Sequence, residues 1–109
     1  LACEVIWVDR FGNCQINASI DDLEQLDGAG SRERVRVTVG SDVRNLRVVT
    51  SFAELGQAAL GLVVDSSGLL ALSIDRASAA RELGIGEGDQ VVLSAAGDVA
   101  PETVPVRIR

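Results

Sequence analysis

The sequence predicts an all-β fold, mainly antiparallel, built as a small barrel or a sandwich with one or two short helices. Three observations support this prediction. Short runs rich in Val, Ile and Leu recur along the chain, glycine-containing turns separate them, and only two segments have the composition of a helix. The 109 residues fit one domain over 1–109, with a core built from Val, Leu, Ile and Ala because only three residues are aromatic.

The first half of the chain contains four predicted strands and one predicted helix. Residues 3–9 and 14–20 are rich in β-forming residues, and the turn between them contains glycine, which predicts a hairpin. Ser19 precedes IDDLEQL, whose early acidic residues and later leucines indicate a short capped helix that ends at the following GAG. RERVRVTV at 32–39 alternates arginine and valine, which predicts a half-buried strand paired with VRNLRVV at 43–49.

The second half continues with strands and a second helix. TSFAELGQ at 50–57 has the composition of a loop, and ASAARELG at 77–84 reads as a short helix that stops at its glycine. The remaining strands are predicted at residues 58–65, 69–75, 90–95 and 104–109.

Composition excludes several function classes. The net charge of −6 argues against nucleic acid or an anionic membrane as the main partner. The chain has no His and no Lys, so histidine acid–base chemistry, histidine metal sites and lysine Schiff bases are excluded. No run is long enough to span a membrane and no signal peptide is visible, so we expect a cytoplasmic protein. The first residue is Leu, which leads us to expect a fragment of a longer chain.

The two cysteines are expected to be reduced and buried. A turn centred near Phe11 places Cys14 opposite residues near Val8 rather than opposite Cys3, so a disulfide would need a different strand register.

Candidate binding groups lie in the first hairpin, at Phe52, and in the turn that contains Ser66. The Asn13 amide suits an adenine edge, an exposed Phe offers a face to a base, and the Asp9 carboxylate suits an ammonium group. Local roles explain the same residues: Asn13 as a left-handed turn residue, Phe11 and Phe52 as plugs of the barrel ends, and Asp9 as a cap of its turn. No serine has a base partner, so the residues supply a binding site at most and no catalytic residue or metal site.

The stretch EVIWVDRFGNCQIN resembles the opening of the C-terminal domain of the S-adenosylmethionine hydroxide adenosyltransferase family, whose relatives include S-adenosylmethionine-dependent fluorinating and chlorinating enzymes. That family shows G-E-V-I-x-V-D-R-F-G-N-L-x-T-N-I here, then an aromatic loop, N-S-x-G-x-L-x-I-A-x-N-x-G-S-A-A-x-x-L-G and a G-D turn. The segments TSFAELGQ, DSSGLLALSIDRASAARELG and IGEGDQVVL occupy the same order in this chain. The resemblance covers about residues 3 to 95.

The resemblance implies a small β-barrel that supplies part of a substrate pocket. Family members cleave S-adenosylmethionine at its 5′ carbon with water or halide, releasing methionine. The resemblance also implies a homotrimer in which the N-terminal domain, absent from this chain, completes the pocket from a neighbouring subunit. S-adenosylmethionine is then the substrate, and no cofactor is needed.

The resemblance assigns roles to individual residues. Asp9 would hold the methionine amine, Asn13 the adenine edge, and Phe52 would stack near the adenine. Ser66 would contact the methionine carboxylate, and the backbone near Arg76 would meet the adenine rim. The substrate-binding residues expected on this basis are Asp9, Asn13, Phe52, Ser66, Ser67 and Arg76.

The chain departs from the family pattern at several of these positions. Ser67 stands where the halogenating relatives have Arg, which weakens the expected contact with a carboxylate. Asp75 replaces an Asn, and Arg76 and Ala77 fall where small residues or Gly are expected. Ile74 resembles the hydrolases rather than the halogenases, which carry Arg there, and therefore favours hydroxide over halide.

The main hypothesis is therefore the C-terminal barrel of a hydroxide adenosyltransferase, inactive without its partner domain. One alternative is a small-barrel module for single-stranded nucleic acid that uses Arg32, Arg34, Arg36 and Phe52, which the acidic balance opposes. Another alternative is a purely structural oligomerisation barrel.

Overall fold

A computed structural model describes residues 1–26, 33–56 and 59–96, and in these ranges seven strands close into a barrel. The chain also forms two short α-helices, and a single turn of 3₁₀ helix at Phe52–Leu55 lies in the segment expected to be a loop. The strands are β1 Ala2–Val8, β2 Cys14–Ser19, β3 Arg34–Val39, β4 Asp42–Val49, β5 Leu60–Val64, β6 Leu69–Ile74 and β7 Gln90–Ala95, and the helices are α1 Ile20–Leu23 and α2 Ala79–Leu83.

The strands follow the order β1-β2-β6-β5-β4-β3-β7, and β7 pairs with β1 to close the barrel. All neighbouring pairs of described strands are antiparallel except β4 and β5, which are parallel. Strand β5 runs beside the end of β4, with Val48 paired to Leu62 and Val49 to Val63, and parallel strands such as these cannot be joined by a tight hairpin turn. The prediction of a mainly antiparallel small barrel with short helices is confirmed.

Strand β3 shows why the alternation of arginine and valine was informative. Val35 and Val37 are buried with exposures of 0% and 3%, whereas Arg34 on the opposite face is exposed. The half-buried strand is therefore confirmed for Arg34–Val39. Arg32 and the strand predicted at 104–109 lie outside the described residues.

The barrel interior is aliphatic. Its largest fully buried side chains include Ile16, Leu62, Leu70, Leu72 and Leu93. The three aromatic side chains of the chain are all exposed, so the expectation of a core without aromatic residues is confirmed.

Both thiols lie inside this core. Cys3 and Cys14 are free and buried, as predicted, and Val8 pairs with Cys14 across the first hairpin. Burial raises the pKa of Cys14 to about 11, with a further contribution from the negative charge of Asp9.

The first helix begins where the sequence predicted and is held by reciprocal hydrogen bonds. Ser19 Oγ accepts from the Asp22 N–H at 3.3 Å, and Asp22 Oδ2 accepts from the Ser19 N–H at 2.8 Å. The helix ends at Leu23, and the GAG predicted to terminate it lies outside the described residues. Neither α-helix of the described chain is long and apolar enough to cross a membrane.

Candidate functional site

Two hairpins of the barrel share one turn motif, Asp-x-x-Gly. The first turn runs from Asp9 to Asn13 between β1 and β2, and the second from Asp65 to Leu69 between β5 and β6. In each, the aspartate N–H donates to the carbonyl oxygen four residues on, at 3.0 and 2.8 Å, and the glycine N–H donates to the aspartate carbonyl oxygen at 2.9 Å. The glycines have φ of 87° and 83°, the left-handed conformation that three-residue hairpin loops require.

The Asp9 carboxylate organises the first turn. Its Oδ1 accepts from the N–H groups of Phe11 and Asn13 at 2.9 and 3.0 Å, and its Oδ2 accepts from Asn13 Nδ2 at 2.9 Å. Burial alone raises the pKa of Asp9, but the hydrogen bonds from Asn13, Phe11 and Gly12 bring it below its ordinary value. With one amide hydrogen given to Asp9, the Asn13 side chain is fixed and presents Oδ1 and one N–H to other partners.

The Asp65 carboxylate repeats this arrangement with a different amide. Its Oδ1 accepts from the N–H groups of Ser67 and Leu69 at 2.8 and 3.1 Å, and its Oδ2 accepts from Gln15 Nε2. Burial raises the pKa of Asp65, but the hydrogen bonds from Gln15, Ser67 and Leu69 outweigh it and lower the pKa. Gln15 is therefore oriented by an aspartate that lies 50 residues away in the sequence.

The first turn is also locked onto helix α2. The Gly12 carbonyl oxygen accepts from the Ala80 N–H at 2.9 Å. A Cβ atom on Gly12 would lie 2.0 Å from Ser78 Oγ and 2.8 Å from Ser78 Cα, so the helix N-terminus occupies the space where a side chain would be. Ser78 Oγ in turn accepts from the Arg81 N–H at 3.1 Å and caps the helix. These contacts hold Asp9 and Asn13 in a fixed place on the barrel.

A cleft on the outside of the barrel joins the two turns. Asp9, Asn13 and Phe52 line both of its adjoining parts. The first compartment, of about 640 Å³, is completed by Phe11, Ile74, Arg76, Ala77 and Ser78. The second compartment, of about 450 Å³, is completed mainly by Trp7, Gln15, Thr50, Ser51, Asp65 and Ser66.

The structure brings five of the six predicted site residues to this cleft. Asp9, Asn13 and Phe52 sit at its centre, Arg76 in the first compartment and Ser66 in the second. Ser67 belongs to the second turn but is missing from the described residues that line the cleft.

Three of the cleft residues have local features that the sequence did not reveal. Arg76 has φ of 64°, the one positive φ among the described residues other than glycine, at a position where the family has small residues. Phe11 and Phe52 are 66% and 46% exposed, so they line the cleft rather than plug the barrel ends.

Sequence reasoning missed Trp7, Gln15 and Asp65. A register irregularity between Val5 and Trp7 leaves both Ile6 and Trp7 exposed, whereas strict alternation would have turned Trp7 inward with Val5. No sequence signal marks that bulge. The repeated text VDRFG and VDSSG was a signal for Asp65, and Gln15 follows Asn13 by two residues, at the start of β2.

Two of the arginines proposed for nucleic acid, Arg34 and Arg36, lie in the described residues, and neither lines the cleft with Phe52. Arg34 and Arg36 lie on the outer face of β3, away from the residues that line the cleft, and Arg36 donates to the Ala96 carbonyl oxygen at 3.1 Å. Within the three described ranges, no group of three His, Cys, Asp or Glu side chains is placed to hold a metal ion.

Two solved structures have the same barrel over most of this chain. An uncharacterized conserved protein from Thermotoga maritima matches with a TM-score of 0.74 and 29% identity over 85% of this chain and 35% of its own. A conserved hypothetical protein from Thermus thermophilus matches with a TM-score of 0.60 and 32% identity over 84% of this chain and 34% of its own. The chain thus spans about a third of the length of either protein.

No protein with a curated description matches the sequence. The model of the SAM hydroxide adenosyltransferase C-terminal domain matches residues 3–92, which is most of the chain and includes both turns and the cleft. The chain therefore belongs to the family of SAM hydroxide adenosyltransferase C-terminal domains.

Proposed function

We propose that this domain forms one wall of the S-adenosylmethionine pocket of an enzyme that adds hydroxide to the 5′ carbon of S-adenosylmethionine. The products are adenosine and methionine. The observation that carries the proposal is the Asn13 amide, fixed by Asp9 with one oxygen and one N–H free, in a compartment lined by Phe11 and Phe52.

The first compartment suits the adenine. The free Asn13 oxygen can accept from an exocyclic amine while its remaining N–H donates to the ring nitrogen beside it, a pairing that distinguishes adenine from the other bases. Exposed Phe11 and Phe52 offer faces on which a base stacks, worth about 1–3 kcal/mol per base. Arg76 lines the same compartment, which supports a contact between its backbone and the base edge.

The second compartment suits the methionine end of the substrate. Asp9 Oδ2 accepts one hydrogen bond within the turn, which leaves acceptor capacity for an ammonium group. The Ser66 hydroxyl lines the same compartment and can donate to a carboxylate.

The reaction itself needs groups that the described residues do not supply. Hydroxide attacks the 5′ carbon, the carbon–sulfur bond breaks, and its electron pair passes to sulfur as methionine leaves. Among the described residues that line the cleft, one serine or threonine hydroxyl donates to a carboxylate: Thr50 Oγ1 contacts Glu54 Oε2 at 3.4 Å. Glu54 is exposed and its other oxygen accepts from the Thr50 N–H at 3.1 Å, so we assign this pair a role in holding its own turn rather than in activating a nucleophile. We therefore assign water activation to an N-terminal domain of the same or a neighbouring subunit in a homotrimer, with S-adenosylmethionine as substrate and no further cofactor.

The test is an activity assay on the protein at its natural length. With S-adenosylmethionine it should release adenosine and methionine in equal amounts, and the isolated domain should release neither. N13L should lower kcat/KM by about 5- to 150-fold, the value of one bidentate base contact. The matched control N45L changes an exposed asparagine of β4 that does not line the cleft and should leave kcat/KM unchanged.

Two results would change the proposal. If a 5′-halogenated adenosine forms in the presence of chloride or fluoride, the nucleophile is halide rather than hydroxide. If the protein is a folded trimer but releases neither adenosine nor methionine, the proposed activity is refuted.

A further inference from the structure

The second compartment of the cleft contains an exposed aromatic side chain, that of Trp7. The bulge between Val5 and Trp7 turns this side chain to the outside of the barrel, where 55% of it is exposed. Trp7 pairs with Gln15 across the hairpin, and both line the compartment. A large exposed aromatic in an aliphatic protein is costly to leave in water, which points to a role in binding.

Gln15 contributes a fixed polar group beside Trp7. Its Nε2 donates to Asp65 Oδ2, and Asp65 is itself held by two backbone N–H groups of its turn. The amide is thereby fixed with its oxygen available as an acceptor. An amide oxygen beside an aromatic ring favours a ligand group that is cationic or carries a donor.

The two compartments differ in charge. Arg76 lines the first compartment, whereas none of the described arginines lines the second. Asp9 and Asp65 line the second compartment, and their hydrogen bonds lower the pKa of each carboxyl, so both are ionised at neutral pH. An aromatic ring near these carboxylates forms an environment that attracts an organic cation.

We propose that Trp7 and Gln15 are specificity-determining residues that select a positively charged sulfonium over a neutral thioether at the second compartment. The inference rests on the proposed function, because it assumes that the nucleoside occupies the first compartment. It goes beyond that function by assigning the choice between charged and neutral adenosyl compounds to two residues at positions that the family pattern leaves open.

The experiment compares three ligands on the protein at its natural length by isothermal titration calorimetry. S-adenosylmethionine carries the sulfonium, S-adenosylhomocysteine is its neutral thioether counterpart, and adenosine lacks the amino-acid end. The wild type should bind S-adenosylmethionine at least fivefold more tightly than S-adenosylhomocysteine, the effect of one cation–π contact. W7L and Q15L should each reduce this ratio at least twofold while the Kd for adenosine changes by less than twofold, and W7F should retain most of it.

Control variants separate selection from folding. I6L changes the exposed neighbour of Trp7, which does not line the cleft, and should alter no Kd. F11L changes the first compartment and should weaken all three ligands by the same factor.

The remaining outcomes contradict either this inference alone or the proposed function as well. Equal affinity of the wild type for the two adenosyl amino acids would overturn this inference and leave the proposed function standing. A W7L variant with equally reduced affinity for all three ligands would also overturn this inference, because Trp7 would then have a structural role. A wild type that binds none of the three would overturn the proposed function and this inference with it.

Discussion

An alanine in place of Gly12 would put a methyl group where helix α2 already packs. The added Cβ would lie 2.0 Å from Ser78 Oγ, 2.5 Å from Ser78 Cβ and 2.8 Å from Ser78 Cα. Rotation of Ser78 about χ1 can remove the first contact, but the contact with Cα is relieved only if the turn or the helix moves. Overpacking of this kind costs about 1–3 kcal/mol. The φ of 87° adds about 1–2 kcal/mol for a residue with a side chain.

The second turn provides a matched control. Gly68 has φ of 83° in a turn with the equivalent hydrogen bonds, but a Cβ there would meet no atom within 4 Å. G68A should therefore lose only the conformational part, about 1–2 kcal/mol, whereas G12A should lose about 2–5 kcal/mol. The difference between the two variants measures the contact between the first turn and Ser78.

Urea unfolding of the 109-residue domain, followed by far-UV circular dichroism, gives both free energies of unfolding. In a domain of this size each kcal/mol also lowers Tm by about 4–8 °C, so a thermal melt provides a second measure. Equal destabilisation of G12A and G68A would refute the reasoning, because the close approach of Ser78 to Gly12 would then contribute nothing to the free energy of unfolding.

Three further predictions follow from burial and charge. The Cys14 thiol should resist iodoacetamide at pH 8 in the folded domain and react after unfolding in urea, because burial raises its pKa to about 11 and leaves about a thousandth as thiolate; rapid labelling of the folded domain, read by mass spectrometry, would contradict this. The lowered pKa values of Asp9 and Asp65 stabilise the domain above the unfolded-state pKa of about 3.9. This stability should be lost as pH falls through their folded-state values, and urea midpoints of the double variant D9N/D65N should depend less on pH between about 4 and 2 than those of the wild type; an unchanged pH dependence would exclude these carboxylates as its source. L72A should cost about 2–5 kcal/mol because Leu72 is fully buried, whereas V43A at the exposed Val43 should change stability by less than about 0.5 kcal/mol; similar losses would place the core elsewhere.

Local patterns predicted the elements whose structure is determined locally. The alternation of arginine and valine in β3 has a period of two residues, so it identified the buried face of the strand directly. A turn centred near Phe11 predicted Cys14 opposite residues near Val8, and Val8 pairs with Cys14 in the structure. Ser19 before the acidic residues of IDDL predicted the start of α1, because a helix cap depends on residues that are close in the sequence.

Features that depend on distant parts of the chain could not be predicted from local sequence patterns. The bulge that exposes Trp7 arises from how β1 fits between two different neighbours, β2 and β7, so the sequence of β1 alone does not contain it. The parallel pairing of β4 with β5 depends on where the connecting segment docks. Residue chemistry and the family resemblance both pointed to Asn13 and Ser66, but the Gln15–Asp65 contact was visible only in the folded structure.

The cleft also depends on the pairing of two hairpins that are distant in the sequence. Its walls come from the turn after β1 and the turn after β5, and strands β2 and β6 join these turns by pairing residues that are distant in the sequence. The first hairpin supplies Trp7, Asp9, Phe11, Asn13 and Gln15, but Phe52, Asp65, Ser66 and Arg76 come from other parts of the chain, so we expect an unfolded chain to bind ligand far more weakly. A ligand present at a hundred times its Kd would thus stabilise the whole barrel by about 2.7 kcal/mol. Under the proposed function, protein with bound ligand would be protected from proteolysis in a cell, whereas ligand-free protein would remain open to it.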